Sequence, residues 1–347
     1  MSTRYEEGEG MGAGSLPYLP VRFVADESNC SFLWRVAGIQ GVGVDFLLSE
    51  LGDGAGQGAL PPHLAEVFLS ASAADRLAAM LSLPARRLRW ALPHLREVHL
   101  LPGEQARWQW PWRPLDRYLV PACGLCAAAR SGGWGEVWQV SRERWRICER
   151  HGRFTHIYQR KPGGVDLSRL PESVRAHHVR GRLERRFGPT GVVLSADAFA
   201  IVGWWWRSMP GVRQWVGRAE LAGLGVQNAE TAWLVVYPEA VRVARALLRY
   251  ERQRAVQADG PWVGAESRLL GDLSEVARSL ALPSRVWRVP VAEWLDRHRR
   301  CILASGRDGA GRRVSLPVTA LVHQGDEEPT SSSTCLPWEW TDLSERV

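Results

Sequence analysis

Cys123-Gly124-Leu125-Cys126 and Cys148-Glu149-Arg150-His151 are the residues whose types and spacing carry the clearest chemistry. They spell C-x2-C, a spacer of 21 residues and C-x2-H. Thiolates and imidazole suit zinc, and two pairs at this spacing can each present two ligands to one tetrahedral ion. Three sulfurs and one nitrogen close the coordination shell, which marks a structural site; a catalytic zinc usually keeps a position for water. The plainer alternative is a set of unrelated buried thiols. A disulfide framework is disfavoured in a reducing cytosol. His156 is a competing ligand by position, but it lacks a partner knuckle. Cys30, Cys301 and Cys335 are scattered and show no ligand spacing.

The same inventory excludes other chemistry. The chain has 43 Arg and one Lys, Lys161, which sits in Tyr158-Gln159-Arg160-Lys161-Pro162 without the glycines of a phosphate-binding loop. Schiff-base or kinase-type chemistry would have to use that single Lys. His177 and His178 are adjacent, so on a helix they point in different directions and do not form a metal pair. Asp166, Glu172 and Glu184 read as solvated helical carboxylates rather than catalytic ones. An enzyme is the weakest functional reading.

The elements that must position the cysteines are mainly helical. Of 347 residues, 45% are apolar and 23% charged, ordinary globular composition. The longest apolar stretch, 192–206, is cut by Asp197 and is too short to span a bilayer. The first fifteen residues are acidic and Gly-rich, unlike a secretory signal, so the expected location is the cytoplasm, with nucleoid association if the protein binds DNA. Asp26-Glu27-Ser28 offers an N-cap to an apolar-periodic run over 32–39, closed near Gly41 and Gly43. Pro238 is placed to begin a helix over 238–258, with Val241, Ala244, Leu248 and Ala255 on its apolar stripe and Arg242, Arg245, Arg249 and Arg252 off it. Strand-like segments are predicted at 137–140 and 192–194. The segment 324–334 reads as unstructured, and Trp338 and Trp340 beyond it as packing residues.

A repeat stands out. Leu81-Ser82-Leu83-Pro84-Ala85-Arg86-Arg87-Leu88-Arg89 matches Leu280-Ala281-Leu282-Pro283-Ser284-Arg285-Val286-Trp287-Arg288 at an offset of 199 residues. Each copy reads as a helix, a tight Leu-Pro turn and a second helix opening on Arg, the pattern of a helix–turn–helix. Leu77, Leu81 and Leu88, with Val276, Leu280 and Trp287, would form the small cores. Arg86, Arg87, Arg89, Arg285 and Arg288 would face outward as DNA- or partner-binding residues. Helix pairs of this kind also pack against protein.

The fold class expected is therefore mostly α, with helix–turn–helix-like helical domains flanking a small zinc-ribbon-like or treble-clef-like module. The expected division is a tail at 1–15, an N-terminal helical domain at 16–106, a zinc module at 107–160, a C-terminal helical domain at 161–323 and a flexible tail at 324–347. Charge follows this division. Residues 1–106 carry net −4, residues 107–190 net +10, and residues 191–347 net +1. Coding bias would raise Arg everywhere, so the central surplus has another cause. The aromatic runs Trp108–Trp110–Trp112 and Trp204–Trp205–Trp206 read as core or protein contacts before base-stacking surfaces.

Together these motifs resemble the TniQ family, which includes TnsD-type target-selection proteins of transposons. The matching residues are Leu19-Pro20-Val21-Arg22, Asp26-Glu27-Ser28, Phe32-Leu33-Trp34-Arg35, the four Cys/His residues with Trp145 and Gly152 beside them, and Asp166-Leu167-Ser168-Arg169-Leu170-Pro171. The resemblance covers roughly residues 15–190. Ala25, Ala122, Gly124 and Glu149 depart from the common pattern. The resemblance implies a non-enzymatic accessory protein with one structural Zn2+. It would link target DNA, or a DNA-bound complex, to an AAA+ ATPase regulator of a transposon. Homodimerisation is compatible with it, and no membrane partner is expected. The second reading is a helix–turn–helix transcription regulator, but no heptad dimerisation helix is evident.

Overall fold

A computed structural model describes residues 21–55, 60–110, 118–131, 136–157, 163–225, 229–256, 263–300, 305–307 and 313–315. The chain separates into two compact units, Met1–Gly164 and Val165–Val347. The described residues are mostly helical, with eleven α-helices among them. None of these helices is long and apolar enough to cross a membrane. The two predicted tails, with Trp338 and Trp340, and Cys301, Cys335 and Lys161 lie outside the described residues.

The first unit begins with α1 (Asn29–Gln40) and α2 (Val44–Leu51). Ser28 caps α1 as expected, its Oγ accepting from the Ser31 amide at 3.1 Å. Gly41 ends the helix in the left-handed conformation, φ 70°. The strands β1 (Asp53–Ala55) and β2 (Phe68–Leu69) flank β3 (Arg107–Gln109), parallel and antiparallel respectively. Between β2 and β3 lie α3 (Ala71–Met80) and α4 (Ala85–Ala91). Phe32, Leu33, Leu48, Leu51, Leu69, Leu77 and Leu88 meet in one core. Trp108 and Trp110 pack there edge to face, centroids 5.8 Å apart, which fits the packing role expected of them.

The metal module follows: β4 (Tyr118–Pro121), α5 (Gly124–Ser131), β5 (Trp138–Ser141), β6 (Trp145–Cys148) and β7 (Arg153–His156). β4 pairs antiparallel with β5, and β6 with β7. The strand predicted at 137–140 is thus present.

The second unit contains β8 (Val165–Asp166), α6 (Pro171–Phe187), α7 (Pro189–Ser208), α8 (Arg213–Ala222), α9 (Ala229–Val256), α10 (Val263–Ser279) and α11 (Ser284–Arg300), then a hairpin of β9 (Ser305–Arg307) with β10 (Arg313–Ser315). Trp205, Trp215, Tyr237, Tyr250 and Trp294 are fully buried. Trp205 Nε1 donates to the Trp287 carbonyl at 3.2 Å and ties α7 to α11.

Two expectations need correction. The run 192–194 is not a strand but part of α7: most of that helix is buried, so its β-branched residues answer to burial rather than propensity. Pro238 does not begin a helix; it lies inside α9, nine residues past its start. A proline there removes one backbone donor and costs ~3 kcal/mol. Arg218 braces the neighbouring turn, donating to the Val235 carbonyl at 2.8 Å and to both oxygens of buried Glu239 at 2.6 and 2.9 Å. The stripe reading of this helix otherwise holds: Val241, Ala244 and Leu248 are buried, and Arg242, Arg245, Arg249 and Arg252 are exposed. The Ala255 side chain lies outside the description.

The repeated turn is the same in both units. Ser82 (φ 49°) and Ala281 (φ 55°) are two of three described non-glycine residues with positive φ, and they are equivalent positions of the repeat. Leu83 N bonds to Ala78 O and Leu282 N to Ala277 O, each at 2.9 Å; Ser82 N bonds to Ala79 O and Ala281 N to Arg278 O, each at 3.0 Å. These crossed bonds form a Schellman close to α3 and to α10, and Pro84 and Pro283 then forbid continuation. Holding a side-chain-bearing residue left-handed costs about 1–2 kcal/mol, part of which glycine returns as backbone entropy. Ser82→Gly and Ala281→Gly should each stabilise their unit by roughly 0.5–1 kcal/mol, read as a rise in urea midpoint at unchanged slope. A loss of stability in either would refute the assigned turn.

Candidate metal centre

The four predicted donors converge. One ligand atom from each of Cys123, Cys126, Cys148 and His151 lies within 4.8 Å of all the others. His151 Nδ1 is 3.5, 3.2 and 3.6 Å from the sulfurs of Cys123, Cys126 and Cys148, and the Cys126 and Cys148 sulfurs are 3.6 Å apart. A tetrahedral ion with bonds of ~2.3 Å to sulfur and ~2.0–2.1 Å to nitrogen requires edges of ~3.6–3.8 Å. These four edges, 3.2–3.6 Å, lie near those of that tetrahedron, and the set could hold a metal ion. Nδ1 is the facing nitrogen, so a ligating imidazole carries its proton on Nε2.

The two pairs, which the spacing alone does not distinguish, are built differently. Cys148 and His151 sit on the turn joining β6 to β7, where Gly152 takes φ 55° and its amide returns to the Cys148 carbonyl at 2.8 Å. Cys123 instead ends the loop after β4, and Cys126 lies in the first turn of α5. Amides of Leu125 and Cys126 donate to the Cys123 sulfur, the orphan donors of a helix N-terminus turned onto a thiolate. Gly124 is explained by space: a Cβ there would lie 2.6 Å from the Gly163 Cα.

Without a cation the site resists ionisation. Burial, reinforced by Cys148, pushes the Cys126 thiol up to about 12, and burial also raises Cys123. A dication at the centre reverses that balance, because thiolates then face positive charge. Burial also raises the isolated Cys30 thiol, which Glu66 reinforces; it takes no part in the cluster. His156 is not a fifth donor. It is buried in β7, stacked on Phe154 at 6.3 Å, and burial with nearby Arg144 pushes it down to about 4.

The module is joined to α1 by the Asp26-Glu27-Ser28 segment. Ser28 N donates to Trp138 O at 2.9 Å and Val140 N to Asp26 O at 2.8 Å, so the segment pairs with β5. Ser31 Oγ accepts from Trp138 N at 2.9 Å, and Arg146 reaches Asp26 at 2.9 Å. Glu27 is fully buried and grips Arg35 through two bonds, Nε–Oε1 2.8 Å and Nη2–Oε2 2.6 Å. Only Ser28 of the three is the cap. The Glu27–Arg35 pair was not anticipated; the eight-residue spacing was its sole sequence signal. Nor was Glu66, which receives the Cys30 and Val67 amides at 2.9 and 2.8 Å and lies 2.6 Å from His94 Nδ1.

The arginines after the two turns lie where the repeat puts them, but several are already engaged. Arg86, Arg87, Arg285 and Arg288 are exposed and Arg89 half-buried. Arg87 lies over Phe23 at 5.9 Å, Arg288 over Trp287 at 5.4 Å, and Arg89 reaches Asp75 at 3.4 Å. Arg86 and Arg285, equivalent positions, have no partner among the described residues. Leu77, Leu81, Leu88, Val276, Leu280 and Trp287 are all buried. His177 Nδ1 meets the Tyr237 hydroxyl at 2.7 Å, within the helical packing.

Residues 19–154 match the TniQ family model, which bears out the resemblance over that span, fewer than half of the 347 residues. The span holds the Asp26-Glu27-Ser28 segment, the first repeated turn and all four donors. No curated protein and no solved structure matches the chain.

Two outcomes follow for this centre. Cys123→Ser/Cys126→Ser exchange removes half the donors, so metal measured by atomic emission should fall from one ion per chain to none; a purified, well-folded wild type without metal would refute the site. For His156, the folded value near 4 lies below the ordinary 6.5. The unfolded chain therefore binds the proton first, and stability is lost as pH falls from about 6.5 towards 4, on the order of 2–3 kcal/mol. Equilibrium unfolding should show the gap between wild type and His156→Phe narrowing by that amount across this window; a constant gap would exclude it.

Proposed function

We propose that the chain is a non-enzymatic accessory protein of DNA transposition. It would join target DNA, or a complex already on DNA, to the AAA+ ATPase regulator that recruits a transposase. The observation that carries this reading is the TniQ match, whose span contains the complete donor set and the segment binding α1 to the module. The ion is read as zinc, because three thiolates and one imidazole at tetrahedral separation suit that metal and leave no open position. Zinc, when bound, supplies a cross-link whose binding energy is folding energy. It would fix α5 against the β6–β7 turn and, through β5, the start of α1. The exposed arginines of α4 and α11, Arg86, Arg87, Arg89, Arg285 and Arg288, are the proposed contact residues for DNA or partner. A dimer is compatible with this role.

Purified protein should bind random duplex DNA with an affinity that falls steeply with salt, and should capture a cognate AAA+ ATPase where a neighbouring gene encodes one. Arg86→Ala/Arg285→Ala should weaken one of the two by about tenfold or more, the scale of losing a specific arginine contact. Absence of both interactions would refute the adaptor. A strong preference for one palindrome, without ATPase binding, would favour a transcription regulator.

A further inference from the structure

Helix α6 carries an arginine face that neither the metal module nor the repeated turns explain. It holds five Arg and two Glu. Both carboxylates are engaged: Glu184 with Arg180 at 2.6 Å, and Glu172 with Arg218 of α8 at 3.4 Å. Arg180 also lies over Phe199 of α7, 5.3 Å from its centroid. Ser173 and Ala176 are buried, and His177 meets Tyr237 of α9, so this side of the helix is the packed one.

The other four arginines, Arg175, Arg182, Arg185 and Arg186, are exposed. At about 100° per residue, Arg175, Arg182 and Arg186 fall within about 40° of one another, with Arg185 just beside them. At ~1.5 Å per residue the row runs ~16 Å along the helix. Arg175, Arg182 and Arg185 have no partner among the described residues, and Arg186 lies over the ring of Phe187, 5.4 Å from its centroid. Like charges three and four residues apart repel, a cost that packing alone gives no reason to carry. The arginine row on α9 contrasts with this: Arg242 bonds to Ser279 Oγ and Arg249 to Asp272, so its charge is partly neutralised from α10.

We propose that the exposed face of α6 docks the sugar–phosphate backbone of duplex DNA. The charges are strung along a line rather than converging on a point, which suits a polyanion with one charge per ~1.7 Å of axis and not a single small anion. Arginine forks clamp phosphate oxygens in pairs. A membrane surface fits less well, because no Val, Leu or Phe of α6 is exposed beside the arginines. This inference rests on the reading that the chain engages DNA, and it places part of the central positive surplus on one helix.

The test is the slope of log affinity against log salt for the full zinc-loaded chain on a random-sequence duplex. Arg175→Gln/Arg182→Gln/Arg185→Gln removes three phosphate contacts, so the slope should shrink by about two to three and affinity at about 0.1 M salt should fall on the order of a hundredfold. Arg245→Gln/Arg252→Gln/Arg268→Gln, an equal charge change on α9 and α10, should leave affinity within about twofold, since no counterions are released there. Melting curves establish that both variants fold. A wild-type slope in the α6 variant overturns the proposal and leaves the adaptor reading standing. An equal loss in both variants also overturns it, by showing that net charge alone matters. Loss of ATPase binding with DNA binding intact reassigns the face to a protein and overturns it too. If the wild type binds no duplex, the inference fails along with direct DNA contact.

Discussion

The pairing of residues 26–28 with β5 is the joint on which the first unit depends. It unites a helix that needs its N-terminal donors satisfied with a metal module too small to build a large core. Val24, Ala122, Ala127 and Val137 cluster there, and Val120, Val140, Trp145, Ile147 and Phe154 of the same module are also buried. A core of this size is modest, and small cores are commonly supported by cross-links. Here a borrowed strand is one cross-link, and the four Cys/His donors, which could hold an ion, would supply another. Glu27 makes the joint rigid. Burial raises its carboxyl above the ordinary range while Arg35 pulls against that rise, and Arg35 also holds the Arg22 carbonyl at 3.0 Å. Removing either partner would strand a buried charge, which costs far more than the intact pair contributes.

What could be read in advance was whatever is local. The cap at Ser28, the glycine stop at Gly41, the two Leu-Pro turns and each donor pair taken singly are fixed by residues within one or two turns of one another. What could not be read depends on distant partners. Asp26, Glu27 and Ser28 look like three candidates for one cap; only the arrival of β5 and Arg146 gives each a separate task. The position of Pro238 resembles a helix start until α9 is seen to run through it from Ala229, with Arg218, twenty residues earlier, bonded to the Val235 carbonyl in the preceding turn. Cys123 and Cys126 read as a knuckle by spacing, yet α5 begins between them, with Gly163 passing close to Gly124.

The arginine-rich composition divides along a similar line. Some guanidiniums are structural: Arg35, Arg218 and Arg254 are held against carboxylates in the interior. Arg254 also binds the His298 carbonyl at 3.1 Å, beside the 2.6 Å contact between His298 and Glu251. A count of basic residues therefore overstates the charge available to a partner. The useful measure is which arginines remain unpaired and aligned, and it singles out α6 more clearly than the helices after the two turns.

The joint between residues 26–28 and β5 also sets an order of events during synthesis. Ser28 must wait for Trp138, more than a hundred residues downstream, before its amide finds the carbonyl it needs. A separation that long gives the unit a high contact order, and closing so large a loop precedes any reward from the contacts it brings. The start of α1 therefore stays unclasped on the ribosome until the β5 segment has emerged, and the ion can be enclosed only after His151 follows. The amino-terminal end of this protein is made first and finished late.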